Sequence, residues 1–240
     1  MKVGITLPQF HDGAEPAVEA ARLAEAAGLD GVFVFDHLWP IGHPGRPALH
    51  GPTLLGAIAA ETTGISVGTL VARVGLVPDA VLVHQLATLH RIAGPRLIAG
   101  LGTGDHLSRP ENDAYGVAFP PVVQRREAMA GVCRSLRALG IEVWVGGRAP
   151  ATAAIARSEG VPLNLWQSTA QEVAAEVDRK GAEVTWGGQV DLSRDGGEEV
   201  APLLAALREA GASWAVLAPI GAPWPGAVEA INSAMAAYGS

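Results

Sequence analysis

Short apolar or β-branched runs alternate with alanine-rich segments of helical period from one end of the chain to the other. Strands are predicted at Val3–Leu7, Gly31–Phe35, Ile65–Val71, Arg96–Leu101, Glu142–Val145, Pro162–Trp166, Glu183–Trp186 and Ser213–Ala218. Each is followed by a predicted helix: Ala14–Ala27, Pro52–Thr62, Ala80–Ile92, Val122–Leu139, Pro150–Ser158, Thr169–Arg179, Glu198–Glu209 and Gly226–Ala237. In the first helix Glu15, Glu19, Arg22 and Glu25 recur at spacings of four and three, leaving Val18, Leu23 and several alanines opposite. That is a helix with one buried face. Gly28 supplies the left-handed residue that ends it. The strands are mostly apolar without alternation, as in a parallel sheet covered on both sides. Strand–helix units repeating about every thirty residues predict an α/β protein, a single (β/α)8 TIM barrel over residues 1–240, a fold that typically takes about 250 residues. An open doubly wound sheet is the alternative, but its first strand ends in a phosphate-binding glycine cluster, and here that strand runs into Leu7-Pro8-Gln9-Phe10.

Composition changes this picture little. The chain has 240 residues, 49% hydrophobic and 17% charged, and a formal charge of −7, which argues against a surface that grips nucleic acid. Cys133 is the only cysteine, so no intrachain disulfide and no cysteine-based zinc site can form. The longest stretch without charge, Ala210 to Val228, is broken by Pro219, Pro223 and Pro225 and reads as no membrane span. The first residues lead directly into a strand rather than a signal peptide, so a soluble cytoplasmic protein is expected.

In such a barrel the active site lies at the C-terminal ends of the strands. Two loops there are long, Leu38–Gly51 after the second strand and Gly102–Pro121 after the fourth. The second strand ends in Asp36-His37. Neighbouring side chains on a strand face opposite ways, so only one of the two faces the mouth. His37 is then either a hydrogen-bonded filler, with Asp36 capping the turn, or a proton-handling group in the cavity, a role that suits its near-neutral titration. No histidines have zinc-ligand spacing, and no metal site is expected. After the fourth strand come Gly102-Thr103-Gly104-Asp105, where glycines admit a close approach to the backbone. Asp105, Ser108, Glu111 and Asn112 make that loop polar enough for a solvated surface. Gly146-Gly147 and Ser168-Thr169 stand at the fifth and sixth strand ends. They read either as a phosphate cradle or as a turn followed by a capping box with Glu172. Gly187-Gly188 and Ile220-Gly221 offer the alternative phosphate position after strands seven and eight.

Gly4-Ile5-Thr6-Leu7-Pro8, the run Ala26 to His37, Val67-Gly68-Thr69-Leu70-Val71, Leu86-Ala87-Thr88-Leu89, Arg96 to Gly104 and Val143-Trp144-Val145-Gly146-Gly147 occur in an order and spacing that resemble the luciferase-like monooxygenase family. These are barrel enzymes using FMN or the deazaflavin coenzyme F-420. The resemblance implies a flavin-type ring across the barrel mouth against strands two to four, touching Thr69, Leu70, Val71, Gly102 and Gly104. It implies a non-proline cis peptide at Leu70-Val71, and a cofactor phosphate held by Gly146, Gly147, Ser168 and Thr169. Asp36 and His37 look like the Asp-His pair of the deazaflavin branch, and Asp105 stands where some of those enzymes carry an acid for proton transfer. The chain departs from the family in its short passages before strand five and after strand seven, Gln189 to Gly197.

The expected activity is hydride transfer between coenzyme F-420 and a small organic substrate, with His37 and Asp105 handling the proton and Asp36 on the cofactor side. An FMN-dependent monooxygenase and a non-catalytic flavin-binding barrel are the alternatives. A phosphosugar isomerase needs a base at a strand end, and Glu61 and Glu142 lie at the wrong ends of their elements. The alanine-rich helix faces suit either a homodimer or close packing on the barrel.

Overall fold

The computed structural model describes residues 1–179, 181–193 and 197–239. Its eight parallel strands close into a barrel in chain order: β1 (Lys2–Thr6), β2 (Gly31–Val34), β3 (Ser66–Arg73), β4 (Leu97–Gly102), β5 (Glu142–Gly146), β6 (Leu163–Trp166), β7 (Val184–Asp191) and β8 (Trp214–Ile220), with β8 paired to β1. The helices are α1 (Glu15–Ala26), α2 (Gly51–Glu61), α3 (Asp79–Ala93), α4 (Arg109–Ala114), α5 (Val122–Ala138), α6 (Pro150–Glu159), α7 (Ala170–Asp178), α8 (Val200–Glu209) and α9 (Trp224–Gly239). Among the described residues no helix is long and apolar enough to cross a membrane.

Alternation along the strands divides the apolar residues into two cores. Val32, Val34, Leu97, Leu101, Val143 and Val145 pack outward against helix residues such as Leu55, Leu86 and Met129. Phe33, Ile98, Trp144, Trp214 and Val216 fill the barrel, joined by Leu70. The rings of Phe33, Trp144 and Trp214 lie 5.4–5.9 Å apart, stacked or edge to face. Three rings of this size fit because glycines face them: a Cβ on Gly31 would come within 2.9 Å of both Phe33 and Trp214, and one on Gly68 within 2.7 Å of Phe33.

Beyond shifts of one or two residues at other element ends, three differences from the sequence expectation bear on the site. β7 runs on to Asp191 instead of ending at Trp186, because Gly187-Gly188 is strand interior: a Cβ on Gly187 would press on Trp166 and Leu70, and one on Gly188 would strike Trp186. β3 continues through a register shift between Thr69 and Ala72 to Arg73. The short helix α4 lies inside the loop after β4. Of the passage from Gln189 to Gly197, residues 194–196 lie outside the described residues.

Two polar details show how helices are tied to the sheet. Glu25 of α1 accepts hydrogen bonds from the backbone N–H groups of Thr63, Gly64 and Ile65 at 2.9, 2.6 and 3.1 Å, fastening α1 to the turn before β3. Partial burial pushes its carboxyl up, but these three donors outweigh that and hold it below the ordinary range. On α5, Cys133 is buried, and burial, with Glu159 adding to it, pushes its thiol up to about 11.

Candidate active site

Phe35 and Trp166 extend from β2 and β6, on opposite sides of the barrel, and meet edge to face over its mouth with centroids 5.7 Å apart. Phe10 stacks on Phe35 at 6.2 Å. Leu70 and Val71, joined by a cis peptide, both pack on the inner cluster, and Leu70 reaches across to Gly187 of β7. Phe35, Val71 and Trp166 are half-buried. They make an apolar, partly open floor at the C-terminal end of the barrel.

Two of the glycines predicted to line this site, Gly102 and Gly146, flank Val71. A Cβ on Gly102 would collide with Val71 Cγ2, and one on Gly146 would lie 2.8 Å from Val71 Cγ1. Gly104 adopts a left-handed turn (φ 64°) against Ser108. Thr69 is fully buried and donates its hydroxyl to Gly100 O at 2.8 Å, so it supports the floor from behind rather than lining it. Gln9, also buried, clamps Phe35 through both backbone groups: its Oε1 accepts from Phe35 N at 2.7 Å and its Nε2 donates to Phe35 O at 2.8 Å. Nothing in Leu7-Pro8-Gln9 announces that role.

Asp36 and His37 divide as strand alternation requires. Asp36 is buried, and its Oδ2 accepts from Arg73 N at 2.9 Å, locking the end of β2 to the end of β3. The His37 side chain keeps 19% exposure, with Nδ1 3.0 Å from Glu111 Oε1. Glu111 is 1% exposed and its Oε2 lies 2.6 Å from Arg73 Nη2, an ion pair whose angle is not that of a hydrogen bond. Arg73, 5% exposed, also donates from Nη1 to Ser108 O and Asn112 Oδ1 at 3.4 and 3.3 Å.

Ser108, Glu111 and Asn112 are therefore buried, where the sequence suggested a solvated loop. The reason is Arg73, which arrives from β3 and gives these polar groups partners. The loop is closed further on by Arg125, which donates to Pro120 O at 2.7 Å and stacks on Phe119. Asp105, by contrast, is exposed and its Oδ1 accepts from Leu107 N at 2.8 Å. The carboxylate that touches His37 is that of Glu111.

Burial pushes the Asp36 carboxyl above its ordinary range, and the Arg73 N–H and guanidinium only partly oppose it. The folded protein then binds more protons than the unfolded chain from the ordinary carboxylate value up to the raised one, and stability falls as pH rises through that window. Asp36→Asn keeps an acceptor for Arg73 N without the titration. Its unfolding free energy relative to the parent is expected to climb with pH across the window. Urea titrations in a pH series check this, and a difference that stays flat would contradict the buried charge.

At the tail end, Gly147 takes φ 145° beside Thr152, Gln167 bends the end of β6 (φ 51°), and Ser168 is buried, its carbonyl accepting from Trp186 Nε1. Thr169 caps α7: its Oγ1 accepts from Glu172 N at 3.2 Å while Glu172 Oε2 accepts from Thr169 N at 2.8 Å. That backbone bond, aided by Arg148 at 3.0 Å, holds the exposed Glu172 carboxyl below its ordinary range. The capping-box reading of Ser168-Thr169 is thus the arrangement present, and Glu172 lies where an anion at this helix end would go.

The profile described as luciferase-like monooxygenase matches residues 1–140. The chain belongs to the luciferase-like monooxygenase family. Among relatives, an F420-dependent glucose-6-phosphate dehydrogenase of Nakamurella multipartita is 32% identical over 141 residues, 57% of this chain and 38% of that protein. One from Amycolatopsis mediterranei is 34% identical over 149 residues, 60% of this chain and 42% of that protein. The matches thus span about two fifths of those relatives' length. The solved structure of an F420-dependent secondary alcohol dehydrogenase in complex with an F420-acetone adduct superimposes with a TM-score of 0.80 over 99% of both chains at 15% identity. In this luciferase-like chain the matched segment contains β1 to β4, with Asp36, His37, the Leu70-Val71 bond, Arg73 and Glu111.

Proposed function

We propose that the chain is an oxidoreductase that transfers a hydride between coenzyme F-420 and a small organic substrate. The observation that carries this reading is a half-buried histidine, held by a buried carboxylate, at the strand end where the mouth also has an apolar floor. The F420-dependent relatives support the choice of cofactor. The floor suits a flat ring: Phe35, Val71 and Trp166 offer apolar surface, and Gly102 and Gly146 keep the rim low beside Val71. When bound, a deazaflavin supplies a two-electron hydride carrier. Gly146, Gly147, Ser168 and Thr169 would hold its anionic tail once Glu172 releases the Thr169 N–H, which also frees Arg148 to pair with the anion.

His37 accepts or returns the substrate proton, and Asp105, exposed on the loop after β4, passes protons to solvent. Leu38 and Trp39, which follow His37, border an open hollow of about 510 Å³ shared with Arg46, Pro47, Leu49 and Tyr115, and this gives room for a substrate. Trp39 packs on Tyr115 at 5.8 Å, shielding that side.

Titrating the apoprotein with coenzyme F-420 and, separately, FMN while following ring fluorescence tests the proposal. Saturable F-420 binding with substrate-dependent bleaching is expected. Tight FMN binding without a response to F-420 favours the monooxygenase reading, and F-420 binding without turnover on any alcohol or sugar favours a binding protein.

A further inference from the structure

We propose that Glu111, seated on Arg73, is a positioning residue that fixes the tautomer of His37 and leaves Nε2 as the nitrogen that meets the substrate proton. The inference rests on the role given to His37 above and extends it to one atom. An ionised carboxylate accepts hydrogen bonds and donates none. Glu111 Oε2 lies 2.6 Å from Arg73 Nη2, a cation that does not deprotonate in proteins, so Glu111 is held as the carboxylate. With Oε1 3.0 Å from His37 Nδ1, the hydrogen between them belongs to Nδ1. In the neutral ring the lone pair is then on Nε2, because the bond made by one ring nitrogen decides the state of the other. An unconstrained histidine prefers the opposite tautomer, with its hydrogen on Nε2.

The surrounding chain is built to keep Glu111 in place. Asp36 accepts from the Arg73 backbone, so the residue beside His37 in sequence also anchors the cation on which Glu111 sits. Arg73 reaches on to Ser108 O and Asn112 Oδ1, gripping α4 on both sides of Glu111. α4 is too short and too polar to hold itself on the barrel by an apolar face. Its position comes from this charge network, and the network ends at the imidazole.

The test needs no cofactor. Apoprotein labelled with nitrogen-15 histidine is studied by long-range proton–nitrogen correlation at a pH where the ring is neutral, with His37→Gln identifying the signals by their loss. The expected wild-type pattern has Nδ1 protonated and Nε2 bare, and a protonated Nε2 with a bare Nδ1 overturns the proposal outright. Removing one charge alone would strand the other in the interior, so the variant is the pair Arg73→Met with Glu111→Met. In it His37 is expected to revert to the Nε2-protonated form, and retention of the wild-type pattern also overturns the proposal. If the pair does not fold, the wild-type spectrum decides. Asp105→Asn is expected to leave the pattern unchanged, and a switch there would move the role from Glu111 to Asp105. A chain that shows the expected tautomer but binds no F-420 refutes the proposed function and the role of Nε2 at the substrate, and leaves the positioning of His37 by Glu111 standing.

Discussion

Replacing His37 with alanine is expected to lower turnover by about 10²–10⁴-fold, the range for losing a positioned proton-transfer group. The loss falls on kcat, because His37 adds little to the apolar floor of Phe35, Val71 and Trp166 on which the proposed function seats the ring. The fold is expected to survive, since Glu111 keeps its ion pair with Arg73 when the imidazole is gone. Steady-state rates with saturating F-420, beside a fluorescence titration of the same variant, separate chemistry from binding. An unchanged kcat would remove His37 from the reaction and leave Asp105 as the remaining candidate.

The largest effect on stability is expected at Trp144. It is fully buried among Phe33, Trp214 and Ile98, and Trp144→Ala opens a void that the stiff strands cannot close. A loss of about 3–5 kcal/mol is expected, the usual range for deleting a buried large aromatic. Urea unfolding followed by circular dichroism measures it. A loss below about 1 kcal/mol would mean that the barrel interior tolerates a cavity and that stability resides mainly between sheet and helices.

The strands and the outer helices were legible because apolar period and parity are local properties; parity also said that only one of Asp36 and His37 turns to the mouth, and left open which. The Leu70-Val71 cis bond came through the family resemblance, as no local signal in Val67–Val71 demands it. Helix α4 was hidden for a physical reason. Arg109-Pro110-Glu111-Asn112-Asp113-Ala114 has no apolar stripe, and its burial depends on Arg73, far away in sequence. The available clue was Pro110 followed by Glu111, a helix-start pattern. Gly187-Gly188 misled in the opposite direction. Read alone, the pair stood beyond the strand's end as an alternative phosphate position, yet here it makes room for the indoles of Trp166 and Trp186.

The buried thiol on α5 has a practical consequence. Thiolates are the nucleophiles that attack maleimides and disulfide probes, and a buried thiol pushed up to about 11 presents almost none at neutral pH. The native protein is thus silent to such reagents. A cysteine engineered beside the hollow near Tyr115 would be labelled alone, giving a fluorophore that reports on that hollow without first removing the parent's own thiol.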